Sequence, residues 1–202
     1  MLKRVLVLGF GKSRLLEFRN LIIFICGRKW TGKTTLAQAI AKLMYERRRV
    51  IIIAPEGGFS LPGAPKKIQF NSTVASTLKG RSFILEPEDD SDSKTLIDFI
   101  WDVQENSTEP VWLIIDEIDL LLSWRQPFGT LLKVIRYGRH RKINLIGITQ
   151  RPANVHNDLL AQADIRILFQ TTEPNDLTYL RKFTSAEPAD LQALVQGQFI
   201  RK

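Results

Sequence analysis

An α/β fold with a mostly parallel sheet flanked by helices is the class this sequence predicts, and three observations carry it. Apolar, largely β-branched runs recur at residues 21–26, 50–54, 111–115, 143–148 and 165–169. The first three are continuous rather than alternating, the mark of strands buried on both faces. Segments with helical spacing separate the runs, as parallel neighbours require. Two runs also end in residues suited to phosphate chemistry: Gly27 to Thr34 after the first, and Asp116-Glu117 after the third.

The stretch from Gly27 to Thr34 has the spacing G-x-x-x-x-G-K-T. In that pattern backbone N–H groups cradle phosphates, a lysine reaches the β and γ groups, and a hydroxyl holds Mg²⁺. Gly27, Arg28, Lys29, Trp30, Thr31, Gly32, Lys33, Thr34 and Thr35 are therefore the candidate nucleotide-binding residues, with Lys33 and Thr34 in the two named roles. A chance match would rarely fall between an apolar strand and an amphipathic helix. Here the helix starts at Lys33, with Leu36, Ala37, Ile40, Ala41 and Met44 on one face, and aims its positive end at the phosphates. Upstream, Gly9-Phe10-Gly11-Lys12-Ser13 also follows an apolar run but lacks the full spacing, so residues 1–20 read as an N-terminal strand and turn. Residues 21–202 form the core of a single ATPase domain in this reading.

Val50 to Ala54 is the second buried strand, ended by Pro55. From Glu56 to Phe70 the glycines and prolines exclude regular structure, leaving a long loop that carries Lys66 and Lys67. Ser82 to Leu85 is a short strand, and the carboxylates from Glu86 to Asp92 read as a solvated loop before a helix over Thr95 to Gln104. Val111 to Ile115 then runs into Asp116-Glu117. At the carboxyl end of a central parallel strand the first carboxylate can orient Mg²⁺ and the second can polarise a water for attack on a γ-phosphate. Gln126 to Tyr137 has helical spacing ended by Gly138, and the strand over Ile143 to Ile148 delivers Thr149-Gln150-Arg151-Pro152 to the same sheet edge, where the Gln150 amide can sense that phosphate. A strand over Ile165 to Phe169, helices over Asn175 to Phe183 and Ala189 to Val195, and a short strand at Gln198 to Ile200 complete the chain.

The 202 residues suffice for one α/β domain with a real core. Cys26 is the only cysteine, so no internal disulfide forms, and a thiol inside a strand suits a reducing cytoplasm. No apolar run reaches signal-peptide or membrane-spanning length. A net charge of +8 and a pI of about 9.8 favour an acidic polymer as partner. Basic residues cluster at Arg47-Arg48-Arg49, at Lys66-Lys67 and across Lys133 to Lys142, and the first two clusters are candidate DNA contacts.

Taken together, Gly27 to Thr34, Leu113 to Glu117, the run Tyr137 to Pro152 and the run Leu168 to Leu177 resemble the FtsK/HerA superfamily of P-loop ATPases, and within it the compact genome-packaging ATPases of membrane-containing icosahedral viruses. The Gly-Arg followed by a strand and Thr-Gln-Arg-Pro is the most specific of these. The resemblance implies a RecA-like P-loop NTPase core with an additional strand between the phosphate-loop strand and the Asp-Glu strand. It implies ATP and Mg²⁺ as cofactors, with Thr34 and Asp116 at the metal, Glu117 as catalytic base and Gln150 as sensor. Arg139 looks like the family's arginine finger, serving a neighbouring subunit, with Arg136, Arg141 and Arg151 as rivals. Double-stranded DNA, a ring, expected to be a hexamer, and capsid vertex proteins are the implied partners, in the host cytoplasm and the virion. Bulky Lys29 and Trp30 depart from the small residues common in relatives, and the chain has no room for accessory clamp domains. A filamentous-phage-type assembly ATPase or a cellular HerA-like DNA pump are the rival motors. A nucleotide kinase lacks support because no arginine-rich lid segment is present, and a GTP switch because no Asn-Lys-x-Asp run is.

Overall fold

The computed structural model describes residues 21–61 and 81–202. The strand and turn expected in residues 1–20, and the loop lysines Lys66 and Lys67, lie outside them. Among the described residues seven strands form one sheet: β1 (Ile22–Cys26), β2 (Arg49–Ile53), β3 (Phe83–Leu85), β4 (Val111–Ile115), β5 (Ile143–Thr149), β6 (Ile165–Leu168) and β7 (Ile200–Arg201). Their order is β3-β2-β4-β5-β1-β6-β7. Every pairing is parallel except β6 with β7. β5 lies between the phosphate-loop strand β1 and the Asp-Glu strand β4, which is the additional strand expected. The carboxyl ends of β1, β4 and β5 therefore share one edge.

Alternation along the strands sorts the core into two layers. On one face Ile23, Ile25, Val50, Ile52, Ile146 and Ile148 pack against Leu36, Ala37, Ile40, Ala41 and Met44 of α1 (Lys33–Tyr45), the five residues expected on its buried side. On the other, Phe24, Ile51, Leu113 and Leu145 meet α2 (Asp90–Val103), α3 (Gly129–Tyr137), α4 (Asn157–Gln162), α5 (Pro174–Thr184) and α6 (Pro188–Ala193). Cys26 belongs to this layer; it is fully buried, and desolvation pushes its thiol far above the ordinary range, leaving it inert at neutral pH.

Two helices start elsewhere than expected, and α4 is a helix the spacing does not predict. Of the carboxylates before Thr95, Glu86 and Glu88 lie in a loop as expected, but Asp90 and Asp92 belong to α2. Asp89 caps the helix, accepting from the Ser91 and Asp92 amides at 2.6 and 3.3 Å, and Asp90 and Asp92 occupy the first turn where the helix dipole favours negative charge. α3 begins at Gly129, not Gln126, because residues 121–128 fold back through a Leu122–Pro127 bridge and Phe128 N–H donating to Leu121 O at 2.8 Å. Gly138 ends α3 as expected; its φ of −55° leads into a 3₁₀ turn over Gly138–Arg141, and Lys142 at φ 55° makes the reversal into β5.

Candidate functional site

Gly27 leaves β1 at φ 147°, and a Cβ there would lie 2.6 Å from the Cβ of Phe169, so only glycine passes beneath the end of β6. The Gly27 amide donates to Thr149 O at 3.3 Å and the Arg28 amide to Gln170 O at 2.9 Å, pinning the start of the loop to its two neighbouring strands. Trp30 adopts φ 65° and is 87% exposed. Gly32, at φ 106°, turns the chain into α1, and the Gly197 amide donates to Thr31 O at 2.9 Å from the other side. The loop is thus braced along its length, with Arg28, Lys29, Trp30 and Thr35 outward and Thr31 and Lys33 inward.

Lys33 is 6% exposed and its ammonium donates to Arg28 O at 2.9 Å. Burial lowers its pKa, while Glu117 and then Asp116 oppose the shift. A buried lysine at a loop rich in N–H groups, its charge favoured by Glu117 and Asp116, is built for a polyanion. Asp116 and Glu117 leave β4 beside it. The Asp116 amide donates to Ile53 O at 2.9 Å, and its carboxyl is raised by burial, opposed by the Glu117 amide, Lys33 and the Thr34 hydroxyl. Burial likewise raises Glu117, whose carboxylate accepts from the Gln150 side-chain amide. Glu117 sits at φ 48°, ψ 47°, a left-handed conformation uncommon for a non-glycine residue and one that turns its side chain toward β5.

These groups line a cavity of about 210 Å³, closed on one side by Glu56, Gly57 and Gly58. Sequence reasoning gave that last wall no role in the site. Its signal was available, because Pro55-Glu56-Gly57-Gly58 follows a parallel strand at the same edge. A larger hollow of about 500 Å³ lies elsewhere, lined by Arg47, Arg48 and Arg49. It opens at the amino end of β2, away from Lys33, and the Arg49 Nε donates to Arg81 O at 3.1 Å.

The structure brings Lys33, Thr34, Asp116, Glu117 and Gln150 together and leaves Arg139 apart. Arg139 is exposed in the turn before β5, and the seven residues of β5 place it roughly 20 Å from Gln150 at about 3.3 Å per residue. Its rivals are engaged. Arg136 bonds Asp158 at 2.5 Å, and Arg141 donates to Trp101 O at 2.6 Å while lying 4.2 Å over the Trp101 ring. Arg151 stands on the site's own edge, 3.5 Å from Glu173 and 3.7 Å from Asp176. Arg139 makes no ion pair among the described residues.

The archaeal protein described as a probable DNA double-strand break repair helicase HerA, from Methanocaldococcus jannaschii, is 30% identical over 87 residues, which span 42% of this chain and 17% of that protein. The DNA packaging ATPase P9 of Enterobacteria phage PRD1 is 25% identical over 179 residues, covering 87% of this chain and 74% of P9. Among solved structures, the genome packaging NTPase B204 of Sulfolobus turreted icosahedral virus 2 with AMPPCP superposes with a TM-score of 0.73 at 24% identity, over 91% of this chain and 92% of that one. The ATPase family associated with various cellular activities (AAA) matches residues 23–171, a span running from β1 through the phosphate loop, the Asp-Glu strand and the Gln150 strand to the end of β6, and the chain belongs to that family.

Proposed function

We propose that the chain is an ATP-hydrolysing DNA translocase, the motor that packages a viral genome into a preformed capsid. The observation that carries this reading is the convergence of Lys33, Thr34, Asp116, Glu117 and Gln150 on one cavity at the carboxyl edge of the sheet. The likeness to P9 along most of the chain supports packaging as the use to which hydrolysis is put.

The N–H groups from Gly27 to Thr35 and the Lys33 ammonium hold the β- and γ-phosphates. Thr34 and Asp116 fit Mg²⁺, which takes one or two protein oxygens and shares the rest of its shell with phosphate and water; when bound it neutralises charge on the phosphates. Glu117 takes the proton of the attacking water as its oxygen bonds to the γ-phosphorus and ADP leaves. Gln150, whose amide already faces Glu117, reports whether a γ-phosphate is present. Arg139 serves a neighbouring subunit's site, because it is unpaired among the described residues and a strand's length from its own. A ring of such subunits, taken as a hexamer, threads double-stranded DNA, to which Arg47, Arg48, Arg49, Lys66 and Lys67 offer sequence-independent phosphate contacts. Capsid vertex proteins anchor the ring, in the host cytoplasm and in the virion. No helix among the described residues is long and apolar enough to cross a membrane.

DNA-stimulated ATP hydrolysis by the purified protein tests the proposal. Stimulation by duplex DNA that weakens steeply with salt is the expected result. Hydrolysis indifferent to every nucleic acid would overturn the translocase reading.

A further inference from the structure

Thr149, the last residue of β5, is fully buried and is met from three directions. Its carbonyl accepts from the amide of Gly27, the first residue of the phosphate loop, at 3.3 Å. Its hydroxyl accepts from the Arg151 amide at 2.9 Å and spends its one proton on the Asp119 carboxylate at 2.6 Å. Asp119 lies two residues after Glu117 in the short 3₁₀ turn Ile118–Leu120, and Gln150, between Thr149 and Arg151, donates to Glu117. Two hydrogen bonds and two short backbone spans therefore close a ring: Glu117 to Asp119, across to Thr149, on to Gln150, and back to Glu117.

A second, independent contact presses the same turn onto the same strand. Ile118 is fully buried, and its Cδ1 lies 2.8 Å from where a Cβ on Gly147 would stand, with a Leu159 methyl at 3.0 Å. Only a hydrogen at that position of β5 admits this approach. The arrangement answers a need created by Glu117 itself. A non-glycine residue at φ 48° persists only where its surroundings hold it, and the backbone bonds local to the turn, Glu117 N to Asp116 Oδ1 and Leu120 N to Glu117 O, both at 3.0 Å, do not reach β5.

We propose that Thr149 and Asp119 are positioning residues for hydrolysis, their hydrogen bond locking the turn that carries Glu117 to the strand end that carries Gln150. The inference rests on Glu117 and Gln150 acting as base and sensor. It goes beyond them by assigning the geometry between them to two side chains that do not line the cavity.

The test uses the full chain and reads kcat, KM for ATP, binding of a non-hydrolysable ATP analogue, and thermal melting. Thr149→Val removes the hydroxyl at nearly constant volume. It is expected to lower kcat by about 10- to 100-fold, the scale of a displacement of about 1 Å at a catalytic group, with analogue affinity within about twofold of the parent since the loop's own N–H groups are untouched. Thr149→Ser keeps the donor and retains most of kcat, and Asp119→Asn, which keeps an acceptor, loses far less than Asp119→Ala. Thr149→Val combined with Asp119→Ala falls no further than either alone, because both cut the same bond. Parental kcat in Thr149→Val, additive losses in the double variant, or Asp119→Asn as damaged as Asp119→Ala would each overturn the proposal. If Thr149→Val and Asp119→Ala fail to fold, the Thr149→Ser and Asp119→Asn results still decide it, because loss of kcat in either refutes the hydrogen bond as the cause. Glu117→Gln separates the two levels: inactive Glu117→Gln with parental Thr149→Val sinks only the positioning role, while parental Glu117→Gln sinks the base assignment beneath it.

Discussion

Replacing Glu117 by glutamine changes a single atom type in the cavity, and its consequences for rate, binding and stability point in different directions. In the proposed mechanism this carboxylate takes the proton from water, while Asp116 faces Thr34 and Lys33. Losing a general base costs about 10²- to 10⁴-fold, or roughly 3 to 5 kcal/mol of barrier. ATP binding is retained, since Lys33 and the loop amides are unchanged and one negative charge facing the phosphates is gone. Stability moves the other way. Burial raises the Glu117 pKa, so the folded state holds its proton more tightly than the unfolded chain. Its ionisation therefore destabilises the fold progressively as pH rises from the unfolded value of about 4.3 through the raised folded value. Glu117→Gln should accordingly melt above the parent at pH 7, with the gain shrinking to nothing below about pH 4, where both side chains are neutral. Steady-state ATPase rates, analogue titration and melting at several pH values measure all three. A parental rate refutes the base assignment, and a melting difference constant with pH refutes the electrostatic account of this residue.

Lys33→Ala should abolish hydrolysis and weaken ATP-analogue binding by equilibrium titration, because it deletes the buried cation that donates to Arg28 O and faces the phosphates. Arg139→Ala alone should be nearly inactive, yet mixed with Lys33→Ala it should recover hydrolysis through interfaces that pair one intact loop with one intact arginine, an effect lost on dilution below assembly. Neutralising Lys66 and Lys67 together should flatten the salt dependence of DNA binding by about 0.9 in log–log slope for each phosphate contact removed, read by fluorescence titration at several salt concentrations. Gly147→Ala should cost roughly 1 to 3 kcal/mol by overpacking against Ile118 and Leu159, visible as a shifted denaturant midpoint, and should lower kcat as well because the displaced neighbour belongs to the Glu117 turn.

The parts of this site legible in the sequence are those where chemistry and periodicity sit in consecutive residues. The Gly27 to Thr34 spacing, the apolar run into Asp116-Glu117 and the five buried positions of α1 are each local patterns, and each matches the structure. The strand between β1 and β4 was not derivable from spacing; it came from the resemblance, since pairing order is a property of the whole sheet. α4 went unread because six residues with two buried leucines give too short a period to register. The acidic segment before Thr95 was misread because a run of carboxylates looks solvated by composition, whereas an Asp at the cap and two more in the first turn are what a helix dipole selects. The Asp119–Thr149 bond escaped for a different reason: it pairs residues 30 positions apart, and no local window contains both partners.

The same sheet explains why one basic cluster and one acidic site do not meet within a subunit. In a parallel sheet every strand enters at one edge and leaves at the other, so residues that precede strands and residues that follow them are held a strand's length apart. Arg47, Arg48 and Arg49 precede β2, and Arg139 precedes β5, whereas Lys33, Asp116, Glu117 and Gln150 follow β1, β4 and β5. No rotamer of a single side chain spans that distance. An arginine on the entry edge can reach a γ-phosphate only on another copy, and the copies must then be arranged entry edge to exit edge, a heterologous contact that closes into a ring or winds into a filament. Under the proposed ring, this topology gives Arg139 a route to hydrolysis only through a neighbouring copy's site.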